Sequence, residues 1–282
     1  MTQAKVGWRA YVVTQVVNAV DADAQAFITA AGITNLTQAS AINTLVNDLK
    51  TYGLWTKMKA LYPMVGGTAS SHKFNLKDPR DLDAAYRLVF NGGWTHTSNG
   101  ALPNGTTGYA DTFFNPSLIS GWHNNHNLSI YMKTQTPTGN GWHLGYGYST
   151  NGDPVYGLAI RRSSSPTNSL IYDSGNYSQN GRIFDFSSDA RGFWSGNASS
   201  SSNRVLYKNG SSVLSNTTTT VTGTPPNDVM TIGALNGTSG STKYYLSGIN
   251  SFTSFSDSLT PTENSNLNTA VQAFQTTLSR QN

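Results

Sequence analysis

Between residues 69 and 260 the chain is cut into short lengths by turn signals. They are Asn91-Gly92-Gly93, Asn104-Gly105, Asn151-Gly152-Asp153-Pro154, Asn209-Gly210 and Asn236-Gly237. Asn-Gly pairs accept the positive φ that tight hairpins demand, so each marks a reversal of the backbone. The lengths between them alternate. Leu128, Ile130 and Met132 are separated by Ser129 and Tyr131; Tyr156, Leu158 and Ile160 repeat the pattern, as do Val205 with Tyr207 and Met230 with Ile232. Trp142, Leu144, Tyr146 and Tyr148 share one parity, and His143, Gly145 and Gly147 the other. A period of two belongs to a strand. Many short strands at this spacing predict a mainly β chain, folded as an antiparallel β-sandwich or jelly roll. With 11% charged residues against about 25% in ordinary domains, the composition does not suit a long helical bundle.

Helical periodicity is confined to the flanks. Asp21 can cap a helix containing Phe27 and Ile28 that stops at Gly32, and Thr37 can cap a second with the stripe Ile42, Leu45, Val46 and Leu49. Trp55, Met58 and Leu61 predict a third, closed by Pro63. Thr260-Pro261-Thr262-Glu263 is a capping box with proline at the first helical position. Leu267, Val271, Phe274 and Leu278 then form one stripe, with Arg280 in the last turn opposing the negative helix end. The chain thus divides into an N-terminal arm (1–20), a short helical segment (21–68), the sandwich (69–260) and a C-terminal helix packed on it (261–282). The Val-rich start reads as an arm that docks elsewhere, or else as a strand added to the main sheet.

Charge and cysteine narrow the function classes. The net charge of +4 is spread thinly, Arg161-Arg162 is the sole basic doublet, and no phosphate-binding loop occurs, so no nucleic-acid partner is expected. Cysteine is absent, which removes disulfides, thiolate metal sites and cysteine nucleophiles. No run of eighteen apolar residues suggests a membrane span. Lys5 and Arg9 precede an apolar stretch, but Gln15 and Asn18 interrupt it and no small-residue cleavage site follows, so a secretion signal is not expected.

The second half resembles a known fold family. Arg204-Val205-Leu206-Tyr207-Lys208-Asn209-Gly210, Ile232-Gly233-Ala234, Tyr245-Leu246-Ser247-Gly248-Ile249, Phe252, Phe255 and the capped helix at Leu259–Leu267 stand in a distinctive order. The set resembles a concanavalin A-like lectin/glucanase sandwich of the laminin-G type. Upstream, the segment from Trp55 to Pro63, Gly66-Gly67-Thr68, Asn75-Leu76-Lys77-Asp78-Pro79 and Gly108-Tyr109-Ala110-Asp111-Thr112 are similar to segments that open such domains in bacteriophage virion proteins. The resemblance covers roughly residues 24–280. It implies a non-catalytic structural component of the virion, a decoration, fibre or tail-associated protein, whose sandwich mediates packing or surface attachment. Its partners would be other virion proteins and further copies of itself in a homo-oligomer. Apolar stripes on the helices would then find cover in assembly. The alternative is an adhesin binding host surface glycans.

Glycoside hydrolysis needs two carboxyl groups about 5–5.5 Å apart for retention. The resembling hydrolases set Glu, Asp and Glu at alternate positions of one strand, whereas this chain has thirteen Asp and a single Glu, Glu263, placed as a helix cap. Asp185 and Asp189 do not alternate as such a strand requires, and Gly192-Phe193-Trp194-Ser195-Gly196 lacks nucleophile-elbow spacing. A polysaccharide-degrading enzyme is therefore the third reading, and no catalytic residue is expected. His123 and His126 have a metal-like spacing but read as solvated loop histidines. No cofactor is expected, although a structural calcium on Asp78, Asp111, Asp153 or Asp173 stays open. For glycan binding the candidates are Trp142, Tyr146, Tyr148, Trp194 and Asn197, with Trp122, Asn140 and Asn151 nearby. Aromatics at alternate strand positions generally form a core, which is the favoured reading of Trp142, Tyr146 and Tyr148, while Trp194 beside Ser195-Gly196-Asn197 reads as more exposed.

Overall fold

The turn-bounded alternations become strands of two stacked sheets. The computed structural model describes residues 19–135, 141–147, 154–162, 169–176, 182–186, 189–218, 220, 225–237 and 243–282. All but the last two positions of the expected arm lie outside them, as does Tyr148. The first sheet runs β13 (Ser211–Asn216), β12 (Asn203–Lys208), β11 (Gly192–Ser200), β6 (His126–Met132), β17 (Asn250–Ser256), β4 (Gly100–Pro103), β3 (Trp94–Thr97), with β1 (Met58–Tyr62) also on β17. The second runs β10 (Arg182–Phe186), β9 (Ser169–Asn176), β8 (Pro154–Arg162), β7 (Leu144–Gly147), β14 (Thr231–Ile232), β5 (Tyr109–Asp111), β2 (Val89–Asn91). The hairpin of β15 (Ala234–Asn236) and β16 (Lys243–Tyr245) joins it beside β7. Pairing is antiparallel throughout these ladders except where β15 meets β7. The expected mainly β sandwich is the observed fold.

The central strands are apolar on both faces, and the helices explain why. From β6, Leu128, Ile130 and Met132 enter the space between the sheets, where Leu144, Leu158 and Ile232 meet them. Tyr131 points the opposite way, with Phe193 and Phe252, into a second core. That core is closed by α1 (Ala22–Ala30), α2 (Leu36–Thr51) and α4 (Pro261–Thr277), while α3 (Ala69–His72) is a single turn. Phe27, the α2 stripe, and Leu267, Val271 and Phe274 of α4 all end there. The helical stripes are thus covered by the chain's own sheet and are not left for neighbouring molecules to cover.

Helix starts follow the expected chemistry with one change. Asp21 caps α1 by accepting from the Asp23 N–H at 2.9 Å. Thr260 accepts from the Glu263 N–H at 3.2 Å while the Glu263 carboxylate accepts from the Thr260 N–H at 2.8 Å, completing the capping box. For α2 the cap is Asn35 and not Thr37, because the helix begins one residue after Asn35.

The expected third helix is instead strand β1. Met58 and Leu61 face the helical core, while Ala60 and Tyr62 face the space between the sheets. A register shift between Met58 and Ala60 adds one residue to the strand. A bulge of this kind puts residues three apart on one face and so imitates helical spacing. Arg280 also departs from expectation. α4 ends at Thr277, Ser279 takes a left-handed φ of 55°, and Arg280 turns back into the protein. Its buried guanidinium donates to the carbonyls of Met64 (2.8 Å), Pro63 (3.1 Å) and Ser251 (3.2 Å) and to Gln275 Oε1 (2.9 Å).

Candidate functional site

The aromatic residues singled out from the sequence are core residues. Trp142, Tyr146 and Trp194 are buried, so none offers a ring face to a sugar. Tyr146 lies between the sheets, stacked on Tyr156 at 5.2 Å. Trp194 also lies there, its indole N–H donating to the Ala190 carbonyl at 2.8 Å. Trp142 packs on the outer face of the second sheet with Val155, Ala159 and Leu235, and so does not share a face with Leu144. The reason is local: the His143 N–H donates to Leu158 O while Leu144 is the register partner of Leu158. Two residues oppose one, and the alternation reverses. Trp122 is buried as well, while Tyr148, Asn140 and Asn151 lie outside the described residues.

Asn197 has a different setting. It follows Ser195 on β11, where the outer face of the first sheet passes under the start of α4. Asn127 Nδ2 donates to Ser195 Oγ (2.7 Å), Asn264 Oδ1 (3.1 Å) and Asn197 Oδ1 (3.2 Å), and Ser195 Oγ donates to Asn264 Oδ1 at 2.8 Å. The Leu259 N–H donates to Asn197 Oδ1 at 2.7 Å, which fixes the side chain through its oxygen. Its amide nitrogen makes no hydrogen bond within the described residues, although only 3% of the residue is exposed.

That nitrogen borders a cleft of about 290 Å³. Asn197, Val205 and Tyr207 line one side, and the stretch from Ser258 to Pro261 lines the other. Ser199 and Asn203 border it too, joined by an Asn203 Nδ2 to Ser199 Oγ bond of 2.9 Å. Lys57 completes the lining, its ammonium 2.6 Å from Glu263 Oε1. Burial pushes the Glu263 carboxyl up, but the Lys57 ammonium and the Thr260 N–H outweigh it and hold the group below the usual range. One carboxylate therefore answers both the lysine and the positive end of α4, leaving a cleft of hydroxyl and amide groups with no unbalanced charge. Burial raises the Tyr207 phenol, so it stays protonated as donor and acceptor. Sequence reasoning missed Tyr207 and Lys57 as neighbours of Asn197; only strand pairing brings Lys57 across from β11.

Several of the remaining candidates are held by partners within the fold. His126 is buried on β6 and not in a loop: its Nδ1 lies 2.8 Å from the Trp122 carbonyl and its Nε2 3.1 Å from the Tyr172 hydroxyl. A ring bonded at both nitrogens has no lone pair for a metal. Among the described residues no three His, Asp or Glu groups converge as a metal site. Asp78 is held by Arg80 at 2.5 Å, Asp173 lies on strand β9, and Asp153 is outside the described residues. Asp111 accepts from Asn91 Nδ2 at 3.1 Å. Near it Lys243 stands 4.2 Å over the Tyr109 ring and donates to Asn236 Oδ1 at 2.6 Å, while Asn236 donates to Asp228 at 2.7 Å. Burial raises both carboxyls and lowers the lysine, and the ammonium supplies the positive charge a calcium ion would bring. Asp189 is paired with Arg191 at 2.9 Å, and Asp185 is exposed on β10.

No family model matches the chain, and no curated protein matches it. Solved structures do. A mutant Trypanosoma rangeli sialidase displaying trans-sialidase activity superposes with a TM-score of 0.51 at 11% identity, over 84% of this chain and 39% of that one. The Trypanosoma rangeli sialidase in complex with 2,3-difluorosialic acid gives 0.50 at 14% identity, over 82% and 38%. Domain 4 of a GH43 extracellular arabinanase from Geobacillus stearothermophilus, in complex with arabinotriose, gives 0.47 at 14%, over 75% and 98%. The chain spans about two-fifths of the sialidase chains. At these identities the likeness is one of architecture: the chain is a mainly β, two-sheet sandwich.

Proposed function

We propose that the chain is a non-catalytic attachment component of a phage particle, whose lectin-like sandwich binds a glycan on the surface to which the particle adheres. The virion setting, with other virion proteins and copies of the chain as partners, rests on the sequence resemblance. The observation that carries the attachment role is the cleft beside α4, whose polar lining is hydroxyl and amide groups and whose one lysine is neutralised by Glu263. Packing through apolar stripes is the weaker reading, because those stripes are covered within the chain. The large apolar residues exposed among the described residues, Val20, Leu36, Leu82, Leu118 and Val213, are scattered along it. The absence of catalysis is supported by Glu263, held by Lys57 and its own helix start, and by the pairing of Asp21, Asp78, Asp81, Asp83, Asp189 and Asp257 with basic side chains.

The test is retention of the purified protein on immobilised oligosaccharides, together with an assay for newly formed reducing ends. Retention without release is expected. Turnover of the bound polymer, or no retention on any oligosaccharide, would refute the proposal.

A further inference from the structure

Three observations in the cleft beside α4 bear on what it takes. The Asn197 amide nitrogen, on a residue 3% exposed, has no partner within the described residues, although its oxygen is fixed by the Leu259 N–H at 2.7 Å. The Tyr207 hydroxyl likewise bonds to nothing in the described residues, and that residue is 5% exposed. Both polar atoms face the open cleft, so each can exchange solvent for a ligand's hydroxyl group. Beside these groups Val205, Leu259 and Pro261 supply short apolar surfaces.

Resting on the glycan reading above, we infer that this cleft is the binding site, that it takes the uncharged terminal pyranose of a glycan, and that Asn197 and Tyr207 determine its specificity. The Asn197 amide donates to a ring or substituent oxygen, and the Tyr207 hydroxyl exchanges a hydrogen bond with a sugar hydroxyl. The C–H face of the sugar lies on the apolar surfaces.

Size and charge restrict the class. A cleft of about 290 Å³ stands at the lower end of small-molecule sites, roughly 300–1,000 Å³, which suits a terminal sugar and not a long chain. An anionic group is disfavoured because Glu263 already answers both the Lys57 ammonium and the Thr260 N–H. A peptide strand finds no edge, since β11 is paired with β6 and β12, and β12 with β11 and β13.

The experiment is solution titration of the full chain with glucose-, galactose-, mannose- and N-acetylglucosamine-terminated oligosaccharides, and with a sialylated one. Tyr207→Phe keeps the ring and is expected to weaken binding of a neutral-ended oligosaccharide about tenfold, equivalent to about 1.4 kcal/mol. Ser199→Trp, at an exposed position of the cleft, is expected to abolish it without touching the core. Asn197→Ala should weaken it further than Tyr207→Phe, and circular dichroism reports whether that variant folds. Tyr109→Ala, on the opposite sheet, should leave it unchanged. Binding that survives both Tyr207→Phe and Ser199→Trp overturns the site while leaving the glycan reading standing. Preference for the sialylated ligand overturns the uncharged class. No binding to any oligosaccharide overturns both.

Discussion

Acidification from pH 7 to pH 5 should destabilise the fold steeply, through three buried histidines. His72, His126 and His143 are all buried. Burial lowers them to about 3, 4 and 3 respectively, from the ordinary 6.5. Each also accepts a hydrogen bond that protonation would break. His72 Nε2 accepts from the Gly67 N–H at 3.2 Å and His143 Nδ1 from the Ile160 N–H at 3.1 Å. His126, donating from Nδ1 to the Trp122 carbonyl, accepts from the Tyr172 hydroxyl at Nε2. Because the folded values are depressed, the unfolded chain binds more protons between pH 6.5 and the folded values. Stability is therefore intact above 6.5 and is lost as the pH falls below it. Because pH 5 lies about 1.5 units below the unfolded value, each histidine costs about 2 kcal/mol there, so the three together remove about 6 kcal/mol. Asp48, Asp111 and Asp228, raised by burial, oppose this by taking protons in the folded state, so the measured loss is the smaller net. The carboxylates held low by basic partners contribute only at more acid pH. Denaturant unfolding at half-unit steps from pH 7.5 to 4.5 gives the slope, and histidine C–H shifts give the titrations. A flat unfolding free energy from pH 7 to 5, or three imidazoles titrating near 6.5 in the folded protein, would refute the reasoning.

The helical layer can be tested apart from the sandwich. Phe252 sits 6.3 Å from Phe193 and 6.4 Å from Phe274, so Phe252→Ala should destabilise by about 3–5 kcal/mol in denaturant unfolding. Arg280→Ala strands the carbonyls of Pro63, Met64 and Ser251, and a loss of about 3 kcal/mol is expected, with Arg280→Lys recovering only part of it because one ammonium cannot span the same partners. Thr260→Ala removes the α4 cap and should lower stability by about 1 kcal/mol in the same assay.

Most strands were legible because turn residues bound them and one face of each alternates. Leu128, Ile130 and Met132, or Tyr156, Leu158 and Ile160, face the space between the sheets as their period requires. The capping box at Thr260 was legible because its chemistry is local. Two bulges were not. At Met58 and at His143 an added residue changes which side chains share a face, turning β1 into an apparent helix and moving Trp142 away from Leu144. Which partners bury Trp142 and Trp194 was not legible: alternation describes one strand, whereas Trp194 is covered by the facing sheet and Trp142 by the β15–β16 hairpin on the outer face, both far away in sequence. The cleft has the same difficulty. Asn197 was a candidate on composition alone, but Lys57, Tyr207 and Ser258 join it only through the pairing of β1 with β17 and β11 with β12.

Saturation-transfer NMR on the full chain, with neutral and sialylated oligosaccharides mixed together and the reducing ends followed over days, tests the central claim most directly. The account predicts magnetisation transfer to the end sugar of a neutral oligosaccharide, abolished by Ser199→Trp, while every oligosaccharide stays intact. Transfer to none of them, or the appearance of shortened products, would contradict it.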